Sequence, residues 1–351
     1  MNLEKVLKRM HLMILLLLLQ GCYSLNQASH FGKLFLSRKD ITEVIKTESV
    51  SSLEKERLKK VLSIVAFAAG QGLNTDGAYT TYIRTEKRAV SWLVQSAHPL
   101  NLKLDTWWFP IVGSVPYLGY FDKRDRDSKA RELRKKGKDV HIATVGAFSS
   151  LGWFADPIYT PMLMRSDSRL ARLFFHELVH RTFWSSGSVR FNENLAEHLS
   201  HVMWLRYIKD ETNREKILSD YYKIKSDRRL FKDWLRQMQK ELKILYRRKD
   251  FSNEEKISKK QEIIEVFQTD RLPEFQTEKF LYIEKRKWNN ASIAAVSLYL
   301  PDTSRFDQAF KCFGEEGSVG DFLKDLAHAE EQFETPFLAL DSFCKAESLS
   351  R

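Results

Sequence analysis

The sequence predicts an α+β fold that is predominantly helical. Long charged segments carry apolar residues three or four positions apart, which is the period of amphipathic helices. Residues 106–121 are instead rich in aromatic and β-branched residues broken by Pro and Gly, which is typical of strands. The 351 residues are enough for one large domain or two moderate ones with a real core.

Residues 1–21 are predicted to be a lipoprotein signal peptide. Three basic residues near the N-terminus precede the apolar run 12–19. This run is shorter than the roughly 20 residues that span a bilayer. The run ends in Leu19-Gln20-Gly21-Cys22, which resembles the bacterial lipobox, so Cys22 is predicted to carry lipid. The alternatives are an ordinary signal peptide with an incidental cysteine and an uncleaved anchor.

A lipidated Cys22 predicts a protein of the bacterial cell envelope that faces the periplasm. Tyr23 is not acidic, which favours the outer membrane. Removing the signal lowers the net charge from +11 to +9, because three basic residues and one acidic residue leave. A surface that binds anionic lipid headgroups and a scatter of solvated lysines without a partner explain this charge equally well. Nucleic acid is not expected, because no recognition motif accompanies the export signal.

The two remaining cysteines, Cys312 and Cys344, are permitted to pair in an oxidising compartment. The sequence leaves open whether they do, because it does not show how close their Cα atoms lie. The oligomeric state is also open.

The elements before residue 150 follow from local patterns. Residues 22–50 are predicted to be a tether, followed by a helix from Ser52 to Gly70 with regularly spaced apolar residues. A Gly-rich break separates it from a second amphipathic stretch, residues 79–96. Residues 106–121 predict strands or a hairpin, and a charged helix is predicted from Arg124 to Lys136.

Further elements follow after the helix that ends near Lys136. Residues 140–145 predict another strand. A helix is predicted to begin near Ser168 and to end before Gly187, and the next runs from Arg190 to Lys209. The charged, periodic residues 209–270 predict a helical hairpin that turns near residues 250–253. Its charged residues are most simply explained as a helix face exposed to solvent.

The terminal portion, residues 278–344, predicts two or three further helices. Residues 51–345 are therefore predicted to form one catalytic domain, into which the arm of residues 209–270 is inserted.

The most informative motif is His176-Glu177-Leu178-Val179-His180. On a helix, residues four apart share a face, so His176 and His180 can bind one metal ion. Glu177 lies one step around the helix, where its carboxylate can reach water without binding the ion. This H-E-x-x-H arrangement predicts two zinc ligands and a general base. Chance gives about 0.03 matches to the broader pattern His-acidic-x-x-His in this composition.

A catalytic zinc site needs a third protein ligand. Ser186 stands where metalloproteases of the extended motif have a third histidine, which excludes that class. Asn192-Glu193-Asn194-Leu195-Ala196 fits the Asn-Glu-x-x-Ala pattern of the glutamate class, and Glu193 lies 13 residues after His180. Glu197 is the alternative, one helical turn further on. We favour Glu193, with the other carboxylate orienting a ligand histidine.

These motifs resemble a family of bacterial envelope proteins described as zinc aminopeptidases and often lipidated. The resemblance covers about residues 50–325 and is weakest in the charged arm. It rests on these runs: Pro116-Tyr117-Leu118-Gly119-Tyr120-Phe121-Asp122, Ser150-Leu151-Gly152-Trp153-Phe154-Ala155-Asp156-Pro157, His176-Glu177-Leu178-Val179-His180, Phe191-Asn192-Glu193, Trp288-Asn289-Asn290-Ala291 and Tyr299.

The resemblance implies a zincin-like pair of active-site helices, one Zn²⁺ per chain and peptide substrates. It supports Glu193, because the family has its Phe-Asn-Glu at the same short spacing. It also offers Tyr299, Asn289 and Asn290 as groups that stabilise the oxyanion, although packing and helix capping explain these residues equally well.

Other residues have less specific interpretations. Residues 140–145 can form the sheet edge that aligns an extended peptide. Asp156 can bind a substrate amine, or simply form a turn with the proline that follows it. His141, His198 and His201 are expected to pack, not to bind metal.

Two rival functions stay open. The exopeptidase signature of the large aminopeptidases is absent, so an endopeptidase is possible. A non-catalytic envelope lipoprotein that binds partners through its arm is the rival from another class. The intact Glu177 argues against the latter, because a structural zinc site does not need that carboxylate.

Overall fold

The structure, a computed structural model, confirms an α+β fold that is predominantly helical. The predicted signal peptide and Cys22 lie outside the described residues, as does Tyr299. The structure describes Gly32 and residues 36–47, 50–85, 91–109, 113–145, 156–298, 300, 302–314 and 316–349.

Helices make up most of the described chain. They are α1 Ile41–Lys46, α2 Ser52–Gly70, α3 Lys123–Lys135, α4 Thr160–Leu163, α5 Asp167–Thr182, α6 Val189–Tyr207, α7 Arg214–Arg247, α8 Asn253–Thr269, the 3-10 turn Glu278–Phe280, α9 Tyr282–Lys285, α10 Asn290–Leu298, α11 Ser304–Phe313, α12 Val319–Glu330 and α13 Pro336–Leu349.

Among the described residues, eight short strands form three small sheets, with the orders β1-β2-β8, β6-β3-β7 and β4-β5. In the second sheet β3 pairs antiparallel with both neighbours, so β7 is an edge strand of the described sheet. The strands are β1 Lys39–Asp40, β2 Thr81–Ile83, β3 Ser91–Ala97, β4 Trp107–Phe109, β5 Gly113–Val115, β6 Leu118–Tyr120, β7 Asp139–Val145 and β8 Ile158–Tyr159.

The largest apolar core surrounds α5 and α6. Both helices bury apolar side chains three or four positions apart, and α2 packs against α5. Full burial of each such side chain stabilises the fold by about 2 kcal/mol. The two helices are therefore held by several residues each: Leu170, Phe174 and Leu178 of α5, and Leu195 and Leu199 of α6.

Two helices, α7 and α8, occupy the charged segment, as its periodicity predicts. They share a second, smaller core in which Trp234 and Met238 of α7 lie with Ile264 and Phe267 of α8. The Trp234 indole N–H donates to the Phe267 carbonyl oxygen at 2.8 Å. Both helices lie within the arm, residues 209–270.

A buried ion pair attaches the arm to the β6-β3-β7 sheet. The Lys260 ammonium, 5% exposed, lies 3.0 Å from both Asp139 Oδ2 and the Pro99 carbonyl oxygen. The Asn290 backbone N–H also donates to Asp139 Oδ2, at 2.8 Å, and the Tyr246 hydroxyl lies 2.7 Å from Asn290 Oδ1. The arm is therefore held against the body by charge as well as by apolar contact.

Two sequence expectations need correction or refinement. The amphipathic stretch 79–96 contains β2 and β3, so its apolar residues serve strands. The terminal portion contains more than two or three helices, because five α-helices and a 3-10 turn begin after residue 277. One of them, α10, buries six consecutive residues, Asn290 to Ala295, and therefore has no amphipathic period to detect.

Cys312 and Cys344 form a disulfide that joins α11 to α13, with their Cα atoms 5.2 Å apart. The sequence had left this pairing open. No helix among the described residues is long and apolar enough to cross a bilayer.

Candidate active site

α5 brings the two motif histidines together. His176 and His180 lie one turn apart, and their Nε2 atoms are 3.0 Å from each other. The opposite side of α5 is buried in the core through Phe174, Phe175 and Leu178, and this burial fixes the direction in which the histidines point. His180 is 6% exposed, whereas His176 is partly open to solvent.

A hydrogen-bonded turn explains the short spacing to α6. The Ser185 backbone N–H donates to Asn192 Oδ1 at 2.9 Å, and Asn192 Nδ2 donates back to the Ser185 carbonyl oxygen at 2.7 Å. Both residues are buried, and Gly187 between them adopts φ +73°, which favours glycine. The chain therefore reverses at once, and α6 packs along α5.

The reversal places Glu193 opposite the histidines. Its Oε2 lies 3.4 Å from His176 Nε2, and its Oε1 lies 3.5 Å from His180 Nε2. Within the described part of the chain, these three side chains are the one group of histidine, cysteine and carboxylate ligands spaced to hold a metal ion.

The spacing fits a tetrahedral ion. Zinc–nitrogen and zinc–oxygen bonds of about 2.0–2.1 Å at tetrahedral angles separate ligand atoms by about 3.3 Å. The three pairs of atoms above are 3.0, 3.4 and 3.5 Å apart. The donor set, two imidazoles and one carboxylate, also matches a catalytic zinc site that keeps one position open.

The cluster is electrostatically matched. Burial acts to raise the pKa of Glu193, but hydrogen bonds from His176 and His180 outweigh it and lower the pKa well below its usual range. Burial acts to lower the pKa of His176, but the hydrogen bond with Glu193 and the charge of Glu177 raise it. The protein therefore holds Glu193 as a carboxylate beside the two imidazoles.

Glu177 follows His176 and has charged groups of both signs around it. Burial raises the pKa of its carboxyl group, the two histidines oppose that effect, and Glu193 and Asp156 add to it. Asp156 is 2% exposed, and its carbonyl oxygen accepts the Tyr79 N–H at 2.7 Å. Asp156 is thus close enough to influence Glu177.

Glu197, the alternative ligand, is engaged elsewhere. Its Oε1 accepts hydrogen bonds from Arg172 Nη2 at 2.7 Å and from Arg228 Nη1 at 2.6 Å. Burial acts to raise the pKa of Glu197, but the two arginines outweigh it and lower the pKa to about 2. Glu197 joins α5, α6 and the arm, and its carboxylate makes no hydrogen bond to His176 or His180.

The structure gives roles to two side chains, Trp184 and Tyr117, to which the sequence had assigned none. The Trp184 ring meets the His180 ring edge to face, with centroids 5.3 Å apart, and forms an aromatic wall. Burial and the charge of Glu193 raise the pKa of Tyr117 to about 12, so this phenol stays protonated at neutral pH. The run that carries the resemblance includes Tyr117, but the sequence gives no sign that it lies near Glu193, because 76 residues separate the two.

The three histidines that were expected to pack, His141, His198 and His201, do so. His198 is 6% exposed, with its ring 5.9 Å from that of Phe310. His201 stacks on Tyr221, and His141 Nε2 lies 3.2 Å from an Arg286 nitrogen. In each case burial is the main cause that lowers the histidine pKa to about 4.

The two asparagines suggested by the resemblance have structural roles. Asn289 Oδ1 accepts the Ser292 N–H at the start of α10, and its Nδ2 donates to the Val140 carbonyl oxygen at 3.1 Å. Asn290 is fully buried and donates to the carbonyl oxygens of His98 and Pro99. Capping and packing explain both residues.

Comparison with known proteins identifies the family but no individual relative. No curated protein and no solved structure shows significant similarity to the chain. A family described as "Putative aminopeptidase" matches residues 22–334, which is nearly the whole sequence. The chain therefore belongs to this aminopeptidase family, and at that coarse level it is a peptidase.

Proposed function

We propose that the protein is a zinc-dependent aminopeptidase that hydrolyses peptide bonds with water. His176, His180 and Glu193 would hold one zinc ion, and Glu177 would be the general base. The observation that carries this proposal is the convergence of three ligand atoms at 3.0–3.5 Å on a helix pair. The family match supports the peptidase activity.

A zinc ion held there would polarise the scissile carbonyl group and lower the pKa of water to about 7. Glu177 would take a proton from the attacking water and pass it to the leaving amine, because a carboxylate at this position shuttles protons without holding the ion. The protonated phenol of Tyr117 would donate a hydrogen bond to the carbonyl oxygen as that oxygen gains negative charge.

The proposal is tested with the soluble form that begins after Cys22. Metal content is measured by mass spectrometry, and products from a defined peptide mixture are identified in the same way. Wild type should bind one zinc ion and produce ladders that lose one N-terminal residue at a time. Internal cleavage would retain the zinc chemistry and replace the aminopeptidase assignment with an endopeptidase.

Three variants separate the roles. Glu177→Gln should keep the metal and lose hydrolysis by a factor of about 10³ or more, because the amide is not a base. Glu193→Gln should lose the metal as well. Glu331→Gln, on a side chain 76% exposed, is the control and should change neither. A Glu177→Gln protein with full activity would contradict the mechanism, and metal-free wild type would contradict the site.

We also propose that the mature chain begins at Cys22 and is held on the periplasmic side of the outer membrane by lipid. The lipobox-like run at residues 19–22 supports this anchor. Cys22→Ser should remove the lipid mass and move the protein from the membrane fraction to the soluble fraction. A variant that keeps its lipid would contradict the anchor.

A further inference from the structure

We propose that a cationic patch beside the metal centre binds a substrate carboxylate about three residues C-terminal to the scissile bond. We define the patch by Arg165, Arg169, Arg172, Arg228 and Lys279. The proposal rests on the proposed function, because the position of the carboxylate is counted from an aminopeptidase cut. The ligand class is an acidic peptide, which presents either a side-chain carboxylate or its own C-terminal carboxylate.

The patch begins on the active-site helix itself. Arg169 and Arg172 precede His176 by seven and four residues, so all three lie on one face of α5. At 1.5 Å per residue, Arg169 lies about 10 Å along the helix from His176. An extended peptide covers that distance in about three residues.

The arm supplies the second part of the patch. Arg228 of α7 meets Arg172 across Glu197, and both guanidinium groups donate to the same oxygen, Oε1. One carboxylate therefore serves two arginines. The Arg172 guanidinium group also lies over the Tyr221 ring, with Cζ 5.3 Å from the ring centroid, and this cation–π contact further fixes it.

A buried carboxylate positions the last member. Asp227 is fully buried and accepts hydrogen bonds from the backbone N–H groups of Gln276 and Thr277, each at 2.8 Å. This attachment fixes the 3-10 turn that carries Lys279 onto α7, one residue before Arg228. Burial and the charges of Arg169 and Arg228 lower the pKa of Lys279, and the charge of Asp220 opposes them, so three cations and one carboxylate are near neighbours.

The patch contains more cationic groups than carboxylates. Arg169 and Lys279 are both exposed, and neither forms an ion pair within the described residues. The buried Nε atoms of Arg165 and Arg172 have no hydrogen-bond acceptor in the described part of the structure. Bringing like charges together is unfavourable unless an anion joins them. A substrate carboxylate would supply that anion.

The distance of the patch from the metal centre determines which residue of the substrate can reach it. An aminopeptidase leaves only one residue on the N-terminal side of the cut, so a group about 10 Å away belongs to the C-terminal side. The fourth residue of the substrate would therefore contact the patch. The arm then has a role in substrate binding beyond a solvated surface.

The test measures peptide binding by calorimetry with the full mature chain carrying Glu177→Gln, so that no substrate is consumed. The probes are Leu-Gly-Gly-Glu-Gly-amide and Leu-Gly-Gly-Gln-Gly-amide, and the tetrapeptide Leu-Gly-Gly-Gly as free acid and as amide. The glutamate peptide should bind about tenfold more tightly than its glutamine counterpart at low salt. The tetrapeptide pair shows whether a C-terminal carboxylate is bound equally well.

The double substitution Arg169→Gln with Lys279→Gln should abolish this preference while leaving the glutamine peptide unchanged. Both side chains are exposed, so folding should be retained, and circular dichroism checks this. Lys243→Gln, an exposed lysine about 20 Å further along α7, is the control and should keep the preference. The preference should also weaken as salt rises.

Two results would overturn the inference: equal binding of the glutamate and glutamine peptides, or a preference that survives the double substitution. Hydrolysis by the wild-type chain distinguishes this failure from failure of the proposed function. Equal hydrolysis of both peptides would support the aminopeptidase activity and refute its preference for acidic peptides. A binding preference in a chain that hydrolyses neither peptide retains the patch and refutes the enzyme.

Discussion

The replacement Glu197→Gln tests how the active-site helices are attached to the arm. Glu197 bonds Arg172 of α5 and Arg228 of α7 through one oxygen, and its side chain is 26% exposed. Its pKa is about 2, against 4.5 for an ordinary glutamate. At 1.36 kcal/mol per pKa unit, the ionised group stabilises the fold by about 3 kcal/mol at neutral pH.

The pH dependence has a definite sign. The pKa is lower in the folded state, so the unfolded chain binds the proton more readily as pH falls. The stabilisation is present above about pH 4.5 and is lost as pH falls towards 2. Urea unfolding of metal-free protein at pH 7 should therefore show that Glu197→Gln lowers the free energy of unfolding by about 3 kcal/mol. The difference from wild type should shrink at pH 3.

The same variant decides between the two possible third ligands. Glu197→Gln should still bind one zinc ion, because Glu193 is the proposed third ligand. Loss of zinc would refute the assignment of Glu193 as the sole carboxylate ligand. An unchanged free energy of unfolding at pH 7 would refute the argument that the shared carboxylate stabilises the fold. The exposed control Glu331→Gln should leave stability within about 0.5 kcal/mol of wild type.

Three further changes have calculable results. Asn192→Ala removes both hydrogen bonds of the α5–α6 turn and should lower the free energy of unfolding in urea by about 2–3 kcal/mol. It should also weaken zinc binding measured by calorimetry. An unchanged affinity for zinc would contradict the role of the turn. Lys260→Met leaves Asp139 buried without its cation and should cost about 3–5 kcal/mol, whereas the double variant with Asp139→Asn should recover part of that loss. Reducing the Cys312–Cys344 bond, which spans 32 residues, should cost about 4 kcal/mol by loop entropy; a Cys-to-Ser pair as stable as the oxidised protein would contradict this.

Much of the site could be predicted because its signals are local. The four-residue spacing of His176 and His180 places both on one helical face in any fold. Glu193 could be proposed because Asn-Glu-x-x-Ala begins the following helix. Asn192 of that same run closes the turn through Ser185, so a short local sequence encodes both the proposed ligand and the reversal that positions it.

The elements that were predicted poorly lack a clear period. α10 buries six consecutive residues and so shows no apolar stripe. Residues 79–96 read as amphipathic, yet they pair as β2 and β3 with strands that are distant in the sequence. Strand pairing depends on partners that no local window contains.

The sequence by itself determined the helical, α+β character of the protein and the candidate metal site with Glu193 as its favoured third ligand, because helix periodicity and turn chemistry act over a few residues. Only the tertiary structure decided that Glu197 serves Arg172 and Arg228 and that Tyr117 lies near Glu193. It also decided that the arm brings Arg228 beside Arg172 of α5. These outcomes depend on contacts between residues tens of positions apart, whose distances are set by packing and not by local sequence.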